Sequence, residues 1–302
     1  MQKRFHWKVR QRDITLGERT LLMGVLNVTP DSFSDGGRYS DPDRAFSRAL
    51  ELEDQGADII DVGAESTRPG SQRISEAEEL RRLIPVLKRL RDKLSVPLSV
   101  DTYKSAVAEK ALEHGAHIIN DPTGLLLDLQ LPKVVVKWDA GLIINHMRGT
   151  PETWAKLPPM KDLMRSLTID LEAALHRARQ AGVQKHQIVI DPGLGFGKRR
   201  EQNSEIIANL DMLKSFDVPI LIGPSRKSFL RREQADLTEF ATAGAVAASV
   251  LSGAHIVRVH DIVAMKSVVE VVDSIRQSVR EAEPAPIRRA GNEGSSAFRA
   301  GR

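Results

Sequence analysis

A (β/α)8 barrel with an N-terminal β-hairpin across its base is the fold this sequence predicts, and three observations predict it. Eight short apolar runs recur between residues 21 and 259, each stopping abruptly in turn formers, hydroxyls or charged side chains. Segments with helical spacing of apolar residues separate them. The repeat occupies about 250 residues, the usual size of such a barrel, whose active sites lie at the C-terminal ends of the strands. An open doubly wound sheet is the alternative with the same ingredients.

At the start, residues 5–16 alternate polar and apolar before Gly17-Glu18, which predicts the hairpin. Strand 21–27 then opens into Thr29-Pro30-Asp31-Ser32-Phe33-Ser34-Asp35-Gly36-Gly37. Helix 41–55 follows, stopped by Gly56. Strand 58–63 leads into Glu65-Ser66-Thr67-Arg68-Pro69-Gly70, and helix 75–94 begins with Ser75 and Glu78 in capping-box spacing. Strand 97–100 ends in Asp101-Thr102 before helix 104–114, and strand 117–119 ends in Asn120-Asp121. In the segment 125–139, Pro132 interrupts the helical pattern. Strand 142–145 precedes His146-Met147-Arg148-Gly149 and helix 161–181, and strand 188–190 precedes Asp191-Pro192-Gly193-Leu194-Gly195-Phe196-Gly197-Lys198 and helix 203–216. Strand 219–223 runs into Pro224-Ser225-Arg226-Lys227-Ser228 and helix 240–251. Strand 255–257 delivers Arg258-Val259-His260-Asp261 ahead of helix 262–281.

Composition narrows the class. No apolar run reaches the length of a membrane span and no secretory signal is visible, so a soluble cytoplasmic protein is expected. Without cysteine there is no disulfide framework or thiolate chemistry, and any metal must take oxygen or imidazole ligands. The net charge of +4 is not a nucleic-acid footprint: four arginines against two glutamates in residues 282–302 supply +2 of it. Those residues are rich in Gly, Ser, Ala and Arg without apolar periodicity and read as a disordered tail behind a barrel domain of residues 1–281. No second catalytic domain is expected before Met23 or after Ala282. Val268, Val269, Val271 and Val272 exceed one helical face, which suits either a core helix or self-association.

Two chemical groups gather at the predicted rim. Asp101, Asn120, Asp191 and Lys227 bring two carboxylates, an amide and an ammonium from four strand ends. A carboxylate accepts two parallel N–H bonds from a guanidine-like edge, and a pterin or a purine carries that edge. Arg68, Arg258 and His260 form a cationic group suited to phosphate oxygens. Asn27 offers an oxygen ligand to a Mg²⁺ bridging two phosphates. The Gly/Pro-rich loops 29–37 and 66–70 are built to order over a substrate. The loop 191–198 lacks the Lys-Ser/Thr spacing of a P-loop.

These motifs, in this order at successive strand ends over residues 23–273, resemble the dihydropteroate synthase family of pterin-binding (β/α)8 enzymes. The resemblance implies that Asp101, Asn120, Asp191 and Lys227 bind the dihydropterin, with Met147 lining the pocket. It implies that Asn27, Thr67, Arg68, Arg258 and His260 handle pyrophosphate and Mg²⁺, with Arg68, Asp101, Lys227, Arg258 and His260 the catalytic set. For p-aminobenzoate it points to Phe33, Thr67, Pro69, Phe196, Ser225 and Lys227. Leu194 and Pro122-Thr123 depart from the family pattern without removing a functional side chain. The expected reaction joins 6-hydroxymethyl-7,8-dihydropterin diphosphate to p-aminobenzoate, releasing pyrophosphate, in a homodimer that sulfonamides target. A pterin-dependent methyltransferase and a silent pterin-binding homologue are the competing expectations; intact Thr67-Arg68-Pro69 and Arg258-Val259-His260 favour the synthase.

Overall fold

Strand β1 (Phe5–Val9) and strand β2 (Arg12–Leu16) form the expected antiparallel hairpin, with Trp7 opposite Ile14. The structure, a computed structural model, describes residues 2–29, 42–68 and 70–281. Phe33, Pro69, nearly all of the loop 29–37 and the tail 282–302 lie outside the described residues.

Eight parallel strands follow: β3 (Leu21–Asn27), β4 (Ile59–Gly63), β5 (Leu98–Asp101), β6 (Ile118–Asp121), β7 (Gly141–Asn145), β8 (Ile188–Asp191), β9 (Leu221–Ile222) and β10 (Ile256–Val259). Their order is β8-β7-β6-β5-β4-β3-β10-β9, and a parallel bridge between Ile190 and Ile220 joins the two ends. The sheet is therefore a barrel, not the open alternative. Outside it pack α1 (Pro42–Asp54), α2 (Glu76–Leu90), α3 (Ser105–Glu113), α4 (Leu131–Trp138), α5 (Leu163–Gln180), α6 (Arg200–Ala208), α7 (Ala235–Leu251) and α8 (Ile262–Glu281).

Strand alternation divides the core in two. Outward residues such as Leu22, Leu26, Ile60, Val62, Ile119 and Ile144 meet the helices in one large cluster. Inward residues at the lower end (Met23, Ile59, Ile118, Ile143, Val189, Leu221 and Ile256) join Trp7, Val9 and Leu16 of the hairpin in a second. The hairpin thus plugs the barrel base. Trp7 donates its indole N–H to the Gln187 carbonyl at 2.8 Å. Gly141 is required beneath the plug: a Cβ there would lie 2.5 Å from Val9 Cγ1 and 3.2 Å from Trp7 Cζ2.

Several boundaries differ from expectation for local reasons. Pro132 does not interrupt α4; it sits in the first turn, where a missing N–H costs nothing. The helix expected over 203–216 is two pieces, α6 and a 3-10 stretch Leu210–Phe216, because Asn209 ends the first. Ser75 caps α2 by accepting the Glu78 N–H at 3.2 Å, but Glu78 turns to Arg81 and Arg82 instead of completing the box. Of the surplus valines in α8, Val269 and Val272 belong to the core while Val271 is 60 % exposed.

Candidate active site

Above the apolar plug the inward side chains turn polar. Register places Asp61 beside Ser99, Gly63 beside Asp101, and Asp101 beside Asn120. Asp191 ends β8, and Arg258 lies in β10 beside Met23. One residue at their centre, Asp61, was not among those expected. It is fully buried and accepts from Ser99 Oγ at 2.6 Å, Asn120 Nδ2 at 3.1 Å and Arg258 Nε at 2.7 Å. Arg258 also reaches Asp101, its Nη2 3.2 Å from Oδ2. Three of the predicted residues from three strands are thereby brought into one network.

Burial sets the protonation behaviour of this layer. It pushes Asp101 up to about 7, with Arg258 opposing and Asp61 and Glu79 adding to the rise. Burial likewise pushes Asp191 up to about 6 against the pull of Lys227, Lys198 and Arg258, while Gly193 N–H donates to Asp191 Oδ1 at 2.7 Å. The Lys227 ammonium is lowered to about 8 by burial and by Arg258, with Asp191 and Asp101 pulling the other way. For Arg258 burial is outweighed by Asp61 and Asp101, so its charge is secure.

The loop after β8 forms a second wall. Gly195, at φ +81°, lets the Lys227 side chain approach: a Cβ would lie 3.2 Å from Lys227 Cδ. The Lys227 ammonium lies 4.3 Å from the centroid of Phe196, whose edge meets Trp154 at 5.3 Å and 70°. Met147, at the end of β7, is buried.

The cationic group gathers at the other side. Burial and the positive field of Arg258, Arg226, Lys227 and Arg68 lower His260 to about 3, so its ring is neutral. Ser225 Oγ accepts the His260 backbone N–H at 3.3 Å and lies 2.9 Å from Nδ1. When the hydroxyl gives its one hydrogen to Nδ1, the neutral ring carries its proton on Nε2 as a donor. Arg68 is exposed on the loop after β4, and Thr67 is half-buried there. That loop is held by Ser71 Oγ, whose one hydrogen is shared between the carbonyls of Ser66 at 2.6 Å and Arg68 at 2.8 Å. It meets the loop after β7 through Gly70 N–H and the Pro151 carbonyl at 3.0 Å. Beneath it, Lys104 ties the β4 and β5 loops to α2 by donating to Glu65 at 2.5 Å and to Glu79.

Asn27 ends β3 level with Gly63. A Cβ on Gly63 would lie 3.7 Å from both Asn27 Oδ1 and Asp101 Oδ2, so the glycine leaves room between two oxygen donors. An amide oxygen and a carboxylate oxygen, the latter also accepting from Arg258, are the hard oxygen ligands that Mg²⁺ takes, and it needs few from the protein.

Residues 23–260 match the family model described as pterin binding enzyme. The chain belongs to the dihydropteroate synthase family of pterin-binding enzymes. A dihydropteroate synthase of Clostridium beijerinckii is 41% identical over 272 residues, covering 89% of this chain and 98% of that one. The crystal structure of a Clostridium difficile dihydropteroate synthase in the presence of pteroic acid superposes with TM-score 0.81 at 42% identity, over 86% of this chain and 98% of that one. A Yersinia pestis dihydropteroate synthase in a sulfonamide drug complex gives TM-score 0.83 at 36% identity, over 91% and 100%.

Within this dihydropteroate synthase family member, sequence reasoning missed three supports of the site. Asp61 carried a signal, a lone carboxylate inside the apolar run Ile59-Ile60-Asp61-Val62 at the inward parity of Ile59 and Gly63. Lys198 and Trp154 carried none, because the contacts that tie Lys198 to His146 and Trp154 to Phe196 join separate strand-end loops.

Proposed function

We infer that this chain condenses 6-hydroxymethyl-7,8-dihydropterin diphosphate with p-aminobenzoate, giving 7,8-dihydropteroate and pyrophosphate in folate biosynthesis. The observation that carries this reading is the joining of Asp101, Asn120 and Arg258 through one buried network at the mouth that also holds Asp191, Lys227 and the cations beside His260. Family membership supplies the reaction.

In this reading the carboxylates and the Asn120 amide take the hydrogen-bonding edges of the pterin, and Met147 lines its pocket. The diphosphate lies toward Arg68, Thr67, Arg258 and the Nε2–H of His260. Mg²⁺ would be held by Asn27 with the oxygen of Asp101 nearby, and it supplies positive charge for the diphosphate when bound. p-Aminobenzoate lies along Phe196 near Lys227 and Ser225, with Phe33 and Pro69, outside the described residues, completing its subsite.

The arylamine is neutral near pH 7 and needs no strong base. Its nitrogen lone pair forms the new bond to the exocyclic methylene carbon, the carbon–oxygen bond breaks, and pyrophosphate leaves with that electron pair. The ammonium proton passes to water. The protein's main task is therefore preorganised charge: Arg68, Arg258 and His260 stabilise the departing anion, and Asp101 stabilises positive charge that develops on the dihydropterin.

We also propose a homodimer through α7 and α8, where Leu237, Phe240, Leu251, Val263, Val271 and Ile275 are exposed apolar residues. Sedimentation at several concentrations tests it. A cytoplasmic location accords with a charged diphosphate substrate and with the finding that no helix among the described residues is long and apolar enough to cross a membrane. Sulfonamides, as p-aminobenzoate mimics, are expected to compete for the Phe196 subsite.

The decisive experiment is pyrophosphate release from 6-hydroxymethyl-7,8-dihydropterin diphosphate with Mg²⁺, with and without p-aminobenzoate, with chromatography of the pterin product. Amine-dependent release with dihydropteroate formed supports the synthase. Tight pterin binding without turnover overturns it in favour of a silent binder or methyltransferase.

A further inference from the structure

Asp61 lies below the residues assigned to substrate and has no exposure of its own. A buried carboxylate is costly unless its lone pairs are filled, and here three donors fill them: Ser99 Oγ, Asn120 Nδ2 and Arg258 Nε. A carboxylate only accepts, so it decides which end of the Asn120 amide faces it. The amide must turn its NH₂ toward Asp61, which leaves Oδ1 as the acceptor available to a ligand. The guanidinium of Arg258 is held in the same way, Nε on Asp61 and Nη2 on Asp101, with Nη1 left over.

We propose that Asp61 is a positioning residue for the pterin site, holding Asn120 and Arg258 in one orientation so that the entering heterocycle meets a single donor–acceptor pattern. The proposal rests on the pterin reading above. It assigns Asp61 a part in the reaction without contact to substrate. In its absence the amide of Asn120 is free to turn over and Arg258 to pair with Asp101 alone, so the ligand meets a mixture of patterns.

The test is Asp61→Asn, which keeps the shape but removes the charge paired with Arg258 and turns an NH₂ toward either the Ser99 hydroxyl or the donors of Asn120 and Arg258. Affinity for 6-hydroxymethyl-7,8-dihydropterin, measured by calorimetry, is expected to fall by about tenfold, the range for a hydrogen-bond donor left unpaired. The kcat is expected to fall about 100-fold, with KM for p-aminobenzoate unchanged within about twofold. A double-mutant cycle separates positioning from general damage: added to Arg258→Ala, the Asp61→Asn change should lower kcat less than about threefold more, because the guanidinium it positions is gone, while the affinity loss that comes through Asn120 persists. That charge-balanced pair also serves should the single variant not fold, by comparison with Arg258→Ala alone. Pterin affinity and turnover of Asp61→Asn within about threefold of the parent, or kcat losses that multiply in the double variant, overturn the proposal. A parent protein that binds pterin without turnover defeats the synthase reading instead, and the affinity measurements still decide on Asp61.

Discussion

Nζ of Lys198, a group that burial lowers to about 7, lies 2.9 Å from Nδ1 of His146, whose Nε2 lies 3.0 Å from the Asp170 carboxylate. Burial, joined by Lys198, lowers His146 to about 4, so the ring is neutral, accepting at Nδ1 and donating from Nε2. The carbonyls of His146 at 3.1 Å, Gly193 at 2.7 Å and Phe196 at 3.3 Å also surround Nζ, so at most three hydrogens are shared among four acceptors. Lys198 clasps the loop that carries Asp191 and Phe196 to the end of β7. Lys198→Met should leave the His146 carbonyl and Nδ1 without this donor, while the Gly193 and Phe196 carbonyls keep the N–H groups of Phe196 and Arg148, at a cost of about 1–3 kcal/mol of stability. KM for p-aminobenzoate should rise about tenfold as Phe196 loosens. Thermal unfolding and steady-state kinetics check it; an unchanged KM with lower stability would reduce Lys198 to a structural role.

The shifts in the polar layer set a pH window for activity. Asp191, pushed up to about 6, and Asp101, pushed up to about 7, must be ionised to receive pterin N–H groups, so kcat/KM should fall on acidification through that range. Lys227, lowered to about 8, must keep its proton, so kcat/KM should also fall above about 8. A bell-shaped profile centred between these limits is expected. Asp191→Asn should cost about 2–4 kcal/mol in the transition state, read from kcat/KM near neutrality. Full activity in a folded Asp191→Asn variant would remove that residue from the site.

Two histidines at the barrel base make stability acid-sensitive. His117 Nδ1 accepts the Leu98 N–H at 3.2 Å and His255 Nδ1 accepts the Ile220 N–H at 3.1 Å. Burial, with nearby cations, lowers both to about 4 from an ordinary 6.5. Between those values the unfolded chain binds protons that the folded one excludes, so their contribution to stability is present above about 6.5 and is lost as pH falls toward 4. The raised carboxylates of the site act in the opposite sense, so the comparison must be between proteins. The variant His117→Asn with His255→Asn, keeping an acceptor near Nδ1, should lose less melting temperature than the parent between pH 7 and pH 5. Parallel losses would show that these rings do not govern the response.

The hairpin plug should matter for stability and not for chemistry. Trp7 is 1 % exposed within the interior cluster, at the opposite end of the strands from Asp101 and Asp191. Trp7→Ala should cost about 3–5 kcal/mol, as large-to-small core changes do. The folded fraction should retain kcat/KM within about twofold. Urea unfolding with parallel kinetics tests both halves of the expectation.

Much of this was legible along the chain because a parallel barrel strand is nearly all apolar, so the residue that ends the run stands out. Asp101, Asn120, Asp191 and Arg258 are all such residues. The same rule passed over Asp61, which sits inside a run and looks like a blemish in an apolar strand until its three partners are seen. The break between α6 and the 3-10 stretch was hidden because apolar spacing continues across Asn209.

By itself the sequence determined the strand count, the hairpin, the rim and the family, since alternation, turn chemistry and ordered motifs are local properties read without knowing which strands touch. Only the tertiary structure decided which charges share a partner. Closing the ring brings Arg258 of the last strand, 197 residues distant, onto Asp61 of the second barrel strand, and lowers the dielectric around Asp101, Asp191 and Lys227 until their proton affinities converge toward neutrality. Both effects depend on distance and burial in three dimensions, and neither leaves a trace in the spacing of residues along a chain.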